Sequence, residues 1–324
     1  MAAIRTDDLT RRFGDVVAVD GLDLTVEEGE VFGFLGPNGA GKSTTINVLL
    51  GFIEPSSGGA EVLGADVTTH SRSVRERIGL LPEGYGLYEN LTGREHLVSA
   101  IETKGSADDP DELLDRVGLD AGDARRAAGG YSKGMQQRLG LAIALVGDPD
   151  LLVLDEPSSG LDPKGIKLLR DIVREETDRG ATVFFSSHIL DQVEKVCDRV
   201  GIMAKGELVA LDTLGNLREQ LGVGGVVEAT VDAVPDLGPV RAVEGVRDVT
   251  AEDDVVRVTC AEPAAKMPAL RRIDDAATVS DIGIDTTSLE SLFEQYTNGE
   301  HGRDATAAEA TTAEDATAVT GGED

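Results

Sequence analysis

The stretch "GPNGAGKST", Gly36 to Thr44, carries glycines at 36, 39 and 41 followed by Lys42 and Ser43. The pattern G-x-x-x-x-G-K-[ST], met here by Gly36, Gly41, Lys42 and Ser43, is the loop in which backbone N–H groups cradle phosphate oxygens. The amides from Asn38 through Gly39, Ala40 and Gly41 to Lys42 are placed to form that cradle. Lys42 is placed to reach the outer phosphates, and the Ser43 hydroxyl to ligate Mg²⁺, with Thr44 next in the run. A second pair of reactive groups sits in "LLVLDEP", where Asp155 and Glu156 follow an apolar run. Two adjacent acids at the tip of a buried strand cost desolvation unless they face a cation. Asp155 suits the Mg²⁺ shell, and Glu156 suits a general base acting on a water. "YSKGMQQRL" adds Ser132 as a helix N-cap with Gly134 beside it, a second helix start able to attract an anion.

Those residues need particular elements behind them. "EVFGFLG" reads as a buried strand feeding the glycine loop, and "KSTTINVLLGF" as the helix it opens. "DLLVLDE" and "ATVFFSSH" read as two further buried strands, ending in acids and in polar residues; "GIMAKGELVALD" reads as a hairpin. Apolar strands separated by helices predict an α/β core with a largely parallel sheet, with ligands beyond the carboxyl ends of its strands. From "GVGG", Gly222 to Gly225, the texture changes. "VVEATVDAV" and "DVVRVTC" alternate with period two, as half-buried strands do. "DTTSLESLFEQYT" opens with a capping box, Thr287 and Glu290, and sets Leu289, Leu292, Phe293 and Tyr296 on one helical face. The expected organisation is an α/β domain over 1–222, a small α+β domain over 223–297 and an acidic disordered tail over 298–324.

The order of "GPNGAGKST", "YSKGMQQRL", "LLVLDEP", "SSGLDP" and "SSH" resembles the ATP-binding subunits of ABC transporters over about residues 4 to 220. The resemblance implies a P-loop ATPase domain with a helical subdomain, binding ATP and Mg²⁺. It implies that two such domains dimerise head to tail, each ATP lying between the P-loop of one subunit and the signature helix of the other. Ser132 and Gly134 then face the partner's γ-phosphate, and the helix dipole favours that anion. Position by position, Phe13 in "RRFGD" matches the aromatic that stacks on adenine, Asp162 in "SSGLDP" the loop that touches the opposite subunit, and His188 in "SSHIL" the histidine that contacts the γ-phosphate. Taken alone, each has a plainer reading: core packing for Phe13, a turn with Pro163 for Asp162, a structural histidine for His188 and an ordinary capped helix for "YSKGM". His70, His96 and His301 lack such support and are expected on the surface.

Two departures stand out. The family usually has glutamine where "IGLLPEGYGLY" has Glu83, a carboxylate able to ligate Mg²⁺ or hold the attacking water at the expense of added charge. The signature is "YSKGM" where the commonest form is Leu, Ser, Gly, Gly, Gln. Both variants, with the downstream α+β segment and its final helix, resemble the branch whose partners are exporters or separately encoded multi-span permeases. The implied function is a motor subunit that couples ATP-driven closure of two subunits to such a permease, through the Glu83 to Glu95 region. The second subunit is an identical chain or a paralogue.

Composition limits the partners. Asp and Glu number 60 against 30 Lys and Arg, a net charge of -30, and there are 8 Lys against 22 Arg. Such a surface repels nucleic acid and anionic headgroups and resembles proteins of salt-rich cytoplasm. Cys197 and Cys260 lack metal spacing, which suggests a reducing compartment. "MAAIRTDDLT" has no apolar signal core, and no stretch approaches the ~20 apolar residues of a membrane span. The expected location is cytoplasmic, peripheral on the inner face of the cell membrane through the permease. The competing reading is a soluble regulatory ATPase of the same family acting on ribosomes or DNA. Against it stand one ATPase domain rather than two, no long coiled coil between P-loop and signature, and the negative charge.

Overall fold

The computed structural model describes residues 1–220 and 225–285. It divides into two compact units, Met1–Thr213 and Leu214–Asp324. The helix Leu214–Gln220 groups with the second unit, so the division falls ahead of the boundary expected near 222.

In the first unit the strands are β1 (Ala2–Phe13), β2 (Val16–Glu27), β3 (Val31–Leu35), β4 (Ser57–Val62), β5 (Ala65–Asp66), β6 (Ile78–Leu81), β7 (Leu151–Asp155), β8 (Thr182–Ser187), β9 (Arg199–Ala204) and β10 (Glu207–Asp212). The helices are α1 (Lys42–Leu49), α2 (Ser71–Glu76), α3 (Gly93–Lys104), α4 (Pro110–Arg116), α5 (Ala121–Ala124), α6 (Lys133–Leu145), α7 (Pro163–Asp178) and α8 (Leu190–Glu194). One sheet runs β10-β9-β3-β8-β7-β6. Its pairs are parallel except the β9–β10 hairpin at the edge, as the apolar runs predict. Every residue of β3, β7 and β8 is buried, which a sheet covered on both faces requires. Phe184 anchors that core, with its ring centroid 5.7 Å from Phe32 and 5.1 Å from Phe34.

A second, antiparallel sheet runs β2-β1-β4-β5 and is not anticipated by the sequence reading, which expects alternating strands and helices throughout. Its long strands contain several register shifts, and Asp8 adopts φ 45°, so the burial pattern of β1 never settles into a period of two. Between β6 and β7 the helices α3 to α6 form a helical segment. Arg116 on α4 ties it to the core: its guanidinium donates to the buried Glu176 of α7 at 2.8 Å and to Glu175 at 3.1 Å.

The second unit begins with α9 (Leu214–Gln220) and continues as β11 (Gly225–Val231), α10 (Gly238–Arg241), β12 (Val246–Glu252), β13 (Val255–Cys260), α11 (Lys266–Asp274) and β14 (Val279–Asp285). The sheet order β12-β13-β11-β14, antiparallel throughout, makes it a split β-α-β arrangement in which two β-α-β halves interleave. β11 alternates buried and half-buried residues along its whole length, and Val227, Ala229, Val256, Val258 and Ile273 are fully buried in its core. The capping box at Thr287 and Glu290, the apolar stripe after it and the tail from 298 lie outside the described residues.

Candidate functional site

β3 delivers the glycine loop to the carboxyl edge of the parallel sheet, where a cavity of about 400 Å³ opens. Pro37, Asn38, Gly39, Gly41, Lys42, Ser43 and Thr44 form one wall, and Glu83, Asp155 and Glu156 the other. Three elements distant in sequence thus meet at one place: the loop before α1, the loop after β6 and the tip of β7. Gly41 has φ 109°, and a Cβ there would lie 2.4 Å from the carbonyl oxygen of Ala18, so the loop passes β2 at a distance only glycine permits. Ala18, with Val16 and Val17, forms the hairpin side of the cavity. No motif in the sequence points to these three residues.

Lys42 is buried. Its Nζ donates to the carbonyl oxygens of Gly36 at 2.6 Å and Pro37 at 3.4 Å and lies 3.9 Å from Glu156 Oε1. Glu156 is held from several sides. His188 Nδ1 lies 2.8 Å from its Oε1, and the Ser187 hydroxyl is 3.4 Å from Oε2. Its backbone takes φ 50°, a conformation L side chains rarely adopt, at the turn leaving β7. Gln137 of α6 donates to the carbonyl oxygen of Pro157 at 2.9 Å, joining that turn to the helix capped by Ser132. No motif in the sequence points to this role of Gln137.

Asp155 is buried, and its Oδ1 has no hydrogen-bond partner among the described residues. Burial raises its pKa, and the carboxylates of Glu83 and Glu156 push in the same direction. A folded-state pKa raised above the unfolded value gives stability that is present at low pH and is lost as pH rises through the folded value. At neutral pH the ionised Asp155 therefore opposes folding. Asp155→Asn is expected to raise the thermal midpoint of the nucleotide-free protein at pH 7 and to leave it little changed at pH 4; calorimetry at the two pH values checks both. An orphaned, desolvated carboxylate oxygen on a residue lining the phosphate-loop cavity is a fitting ligand for a divalent cation, and Ser43 and Glu83 share that cavity.

The remaining candidates lie elsewhere. Ser132 caps α6, with its hydroxyl accepting from Met135 N at 3.3 Å. Ser132, Gly134 and Asp162 line a separate depression of about 490 Å³. Asp162 caps α7, and the Gly165 amide, with Arg138 nearby, holds its carboxyl below the usual range. Phe13 is 44 % exposed beside Val16, with the Arg11 guanidinium 4.4 Å from its ring centroid, and is not among the residues lining the first cavity. Within one chain the two groups of residues therefore line separate depressions.

His70 is exposed as expected, and His301 lies outside the described residues. His96 corrects the expectation of a surface residue. It is 6 % exposed, its Nδ1 is 2.8 Å from the carbonyl oxygen of Thr92, and its Nε2 accepts from Tyr88 N at 3.0 Å. Two backbone partners make it worth burying. Burial also holds the Cys197 thiol well above its ordinary pKa, which suits a packing role.

The family model for ABC transporters matches residues 19–159. The chain is 44% identical over 212 residues to a bacitracin transport ATP-binding protein of Bacillus licheniformis, covering 64% of this chain and 68% of the relative. It is 35% identical over 301 residues to a daunorubicin resistance ATP-binding protein of Streptomyces coeruleorubidus, covering 90% and 94%. A solved ATP-binding subunit of an ABC transporter superposes with TM-score 0.63 at 31% identity, covering 68% of this chain and 93% of that one.

Proposed function

The chain belongs to the ATP-binding proteins of ABC transporters and is an ATPase, and from that premise we propose that it drives a separate membrane permease in export. The observation that supports the mechanism best is the separation of the two half-sites. Ser132 and Gly134 lie in a different depression from Lys42 and Glu156. A head-to-tail pair, of two copies or of this chain with a paralogue, brings the helix start of one subunit over the phosphate loop of the other. Symmetric closure of this kind makes each subunit contribute half of each site.

In that arrangement the amides from Asn38 to Lys42 hold the β-phosphate, and Lys42 turns from the Gly36 carbonyl to the outer phosphates. Phe13, exposed at the end of β1, stacks on the adenine. Ser43, Asp155 and Glu83 would hold Mg²⁺, whose charge would supply electrostatic stabilisation to the transferring phosphoryl group. Glu156 accepts the proton of the attacking water, positioned by the His188 contact at 2.8 Å. His188 also reaches the γ-phosphate. Across the interface Ser132 and Gly134 meet the same phosphate at the positive end of α6, and Asp162 borders the joint. The water's oxygen bonds to the γ-phosphorus as the bond to the ADP oxygen breaks, and once inorganic phosphate leaves, the anion bridging the halves is gone and the subunits part.

The permease partner and the export direction rest on kinship. The relatives named above are a bacitracin transport and a daunorubicin resistance protein. No helix of the described residues is long and apolar enough to cross a membrane, and in this reading a separate permease supplies the pathway. The placement is peripheral, on the cytoplasmic face, and the net charge of -30 argues against nucleic acid as a partner. Affinity capture of the tagged chain from its own membranes in concentrated salt tests this reading. The expected result is a stoichiometric multi-span protein; recovery of soluble proteins or ribosomes alone would move the ATPase to the regulatory class.

A further inference from the structure

The loop between β6 and α3 has two ends with different tasks. Its start carries Glu83 into the nucleotide cavity. Its far end is tied into the helical segment by the backbone: Gly129 N donates to the Glu89 carbonyl at 2.9 Å and Ala128 N to the Leu91 carbonyl at 2.8 Å. Between them Gly84 takes φ 68°, a conformation that gives the chain a turning point directly after Glu83. One side chain holds the loop beyond that turn, at Tyr88. His96 of α3 is buried, and its ring lies 6.0 Å from that of Tyr88, which is 75 % exposed. The carbonyl of Thr92 can only accept, so Nδ1 carries the proton; the Tyr88 amide can only donate, so Nε2 is bare. The same turn of α3 is fixed by a reciprocal cap between Thr92 and Glu95.

We propose that His96 is a positioning residue for ATP hydrolysis: through Nε2 it fastens the loop that carries Glu83 to α3. It thereby sets how Glu83, five residues before Tyr88 in the same loop, meets the nucleotide. The bond matters because the Tyr88 amide has no strand to join. The inference rests on the ATPase reading and on Glu83 belonging to its site, and it deepens that reading by naming what holds Glu83 in place. The Thr92 bond restrains α3 alone, while the ring contact with Tyr88 has no fixed direction, so the Nε2 bond is what fixes the loop's register on α3.

Two substitutions separate the two bonds. In His96→Asn the shorter amide keeps a donor near the Thr92 carbonyl and offers nothing to Tyr88. In His96→Gln the longer amide sets an acceptor where Nε2 stands. With the full chain, the Tyr88 amide is expected to exchange hydrogen about fivefold faster in His96→Asn, the equivalent of one net hydrogen bond. The kcat for ATP is expected to fall about tenfold with KM within about twofold, as misplacement of a site group produces. His96→Gln is expected to stay within about twofold of the parent in both measures. Equal behaviour of the two variants would overturn the proposal in favour of simple packing. Faster Tyr88 exchange with unchanged kcat would overturn it too, since the fastening would then not serve the reaction. Turnover of the parent is read against Glu156→Gln as blank. A parent no faster than that blank would count against the ATPase mechanism, while the exchange comparison would still decide whether His96 holds the loop.

Discussion

Glu156→Gln is expected to bind ATP with near-parental affinity, to hydrolyse it at least a hundredfold more slowly, and to accumulate as an ATP-bound dimer. Loss of a positioned general base commonly removes a factor of about 10²–10⁴. The amide keeps the size and shape of the carboxylate, so the contacts with His188 and Ser187 at 2.8 and 3.4 Å have a replacement partner. The substitution also removes one negative charge from a cavity that already holds Asp155 and Glu83. Repulsion of the triphosphate falls, which favours the closed dimer. Single-turnover hydrolysis and light scattering read the two effects separately. Turnover near the parental rate would show that Glu156 is not the base.

Lys42→Ala is expected to weaken ATP binding by roughly 10- to 100-fold, the range for losing charge-assisted hydrogen bonds. Lys42 is 6 % exposed and held by the carbonyl oxygens of Gly36 and Pro37, so its ammonium is already oriented at the loop before a phosphate arrives. The same substitution leaves Glu156 without the cation 3.9 Å away and adds to repulsion of the triphosphate. Titration of a fluorescent ATP analogue measures the loss. Unchanged affinity would contradict the role given to the loop.

Much of this site is legible in the sequence because its parts are local. The glycine spacing before Lys42, the acids closing "LLVLDEP" and the capping serine before α6 each encode their geometry in a few consecutive residues. The buried parallel strands are legible for the same reason, since β3, β7 and β8 are each built on a short apolar run, VFGFL, LLVL and VFF. What escapes is set by distant partners. β1 and β2 hide their pairing behind register shifts. Ala18 enters the site because β2 lies against Gly41, a contact no motif announces. His96 reads as a surface residue until the loop from Glu83 folds back and gives its second nitrogen a partner. In the second unit the alternation of β11 and β13 is plain, while the order β12-β13-β11-β14 depends on crossovers that period alone does not specify.

The central claim is that each active site is shared between two subunits, and mixing two crippled chains tests it most directly. Glu156→Gln lacks the base but keeps its helix start. Ser132→Asp keeps a good cap for α6, since aspartate caps as well as serine, and sets a carboxylate against the incoming phosphate. Each alone is expected to be nearly inactive. In a head-to-tail pair of the two, one site combines both defects and the other combines neither. Random pairing therefore predicts recovery of about a quarter of the parental ATPase rate on mixing, because half the dimers are mixed and half their sites are whole. A mixture as inactive as its components would mean that the phosphate loop and Ser132 act within one chain, and the shared site would have to be abandoned.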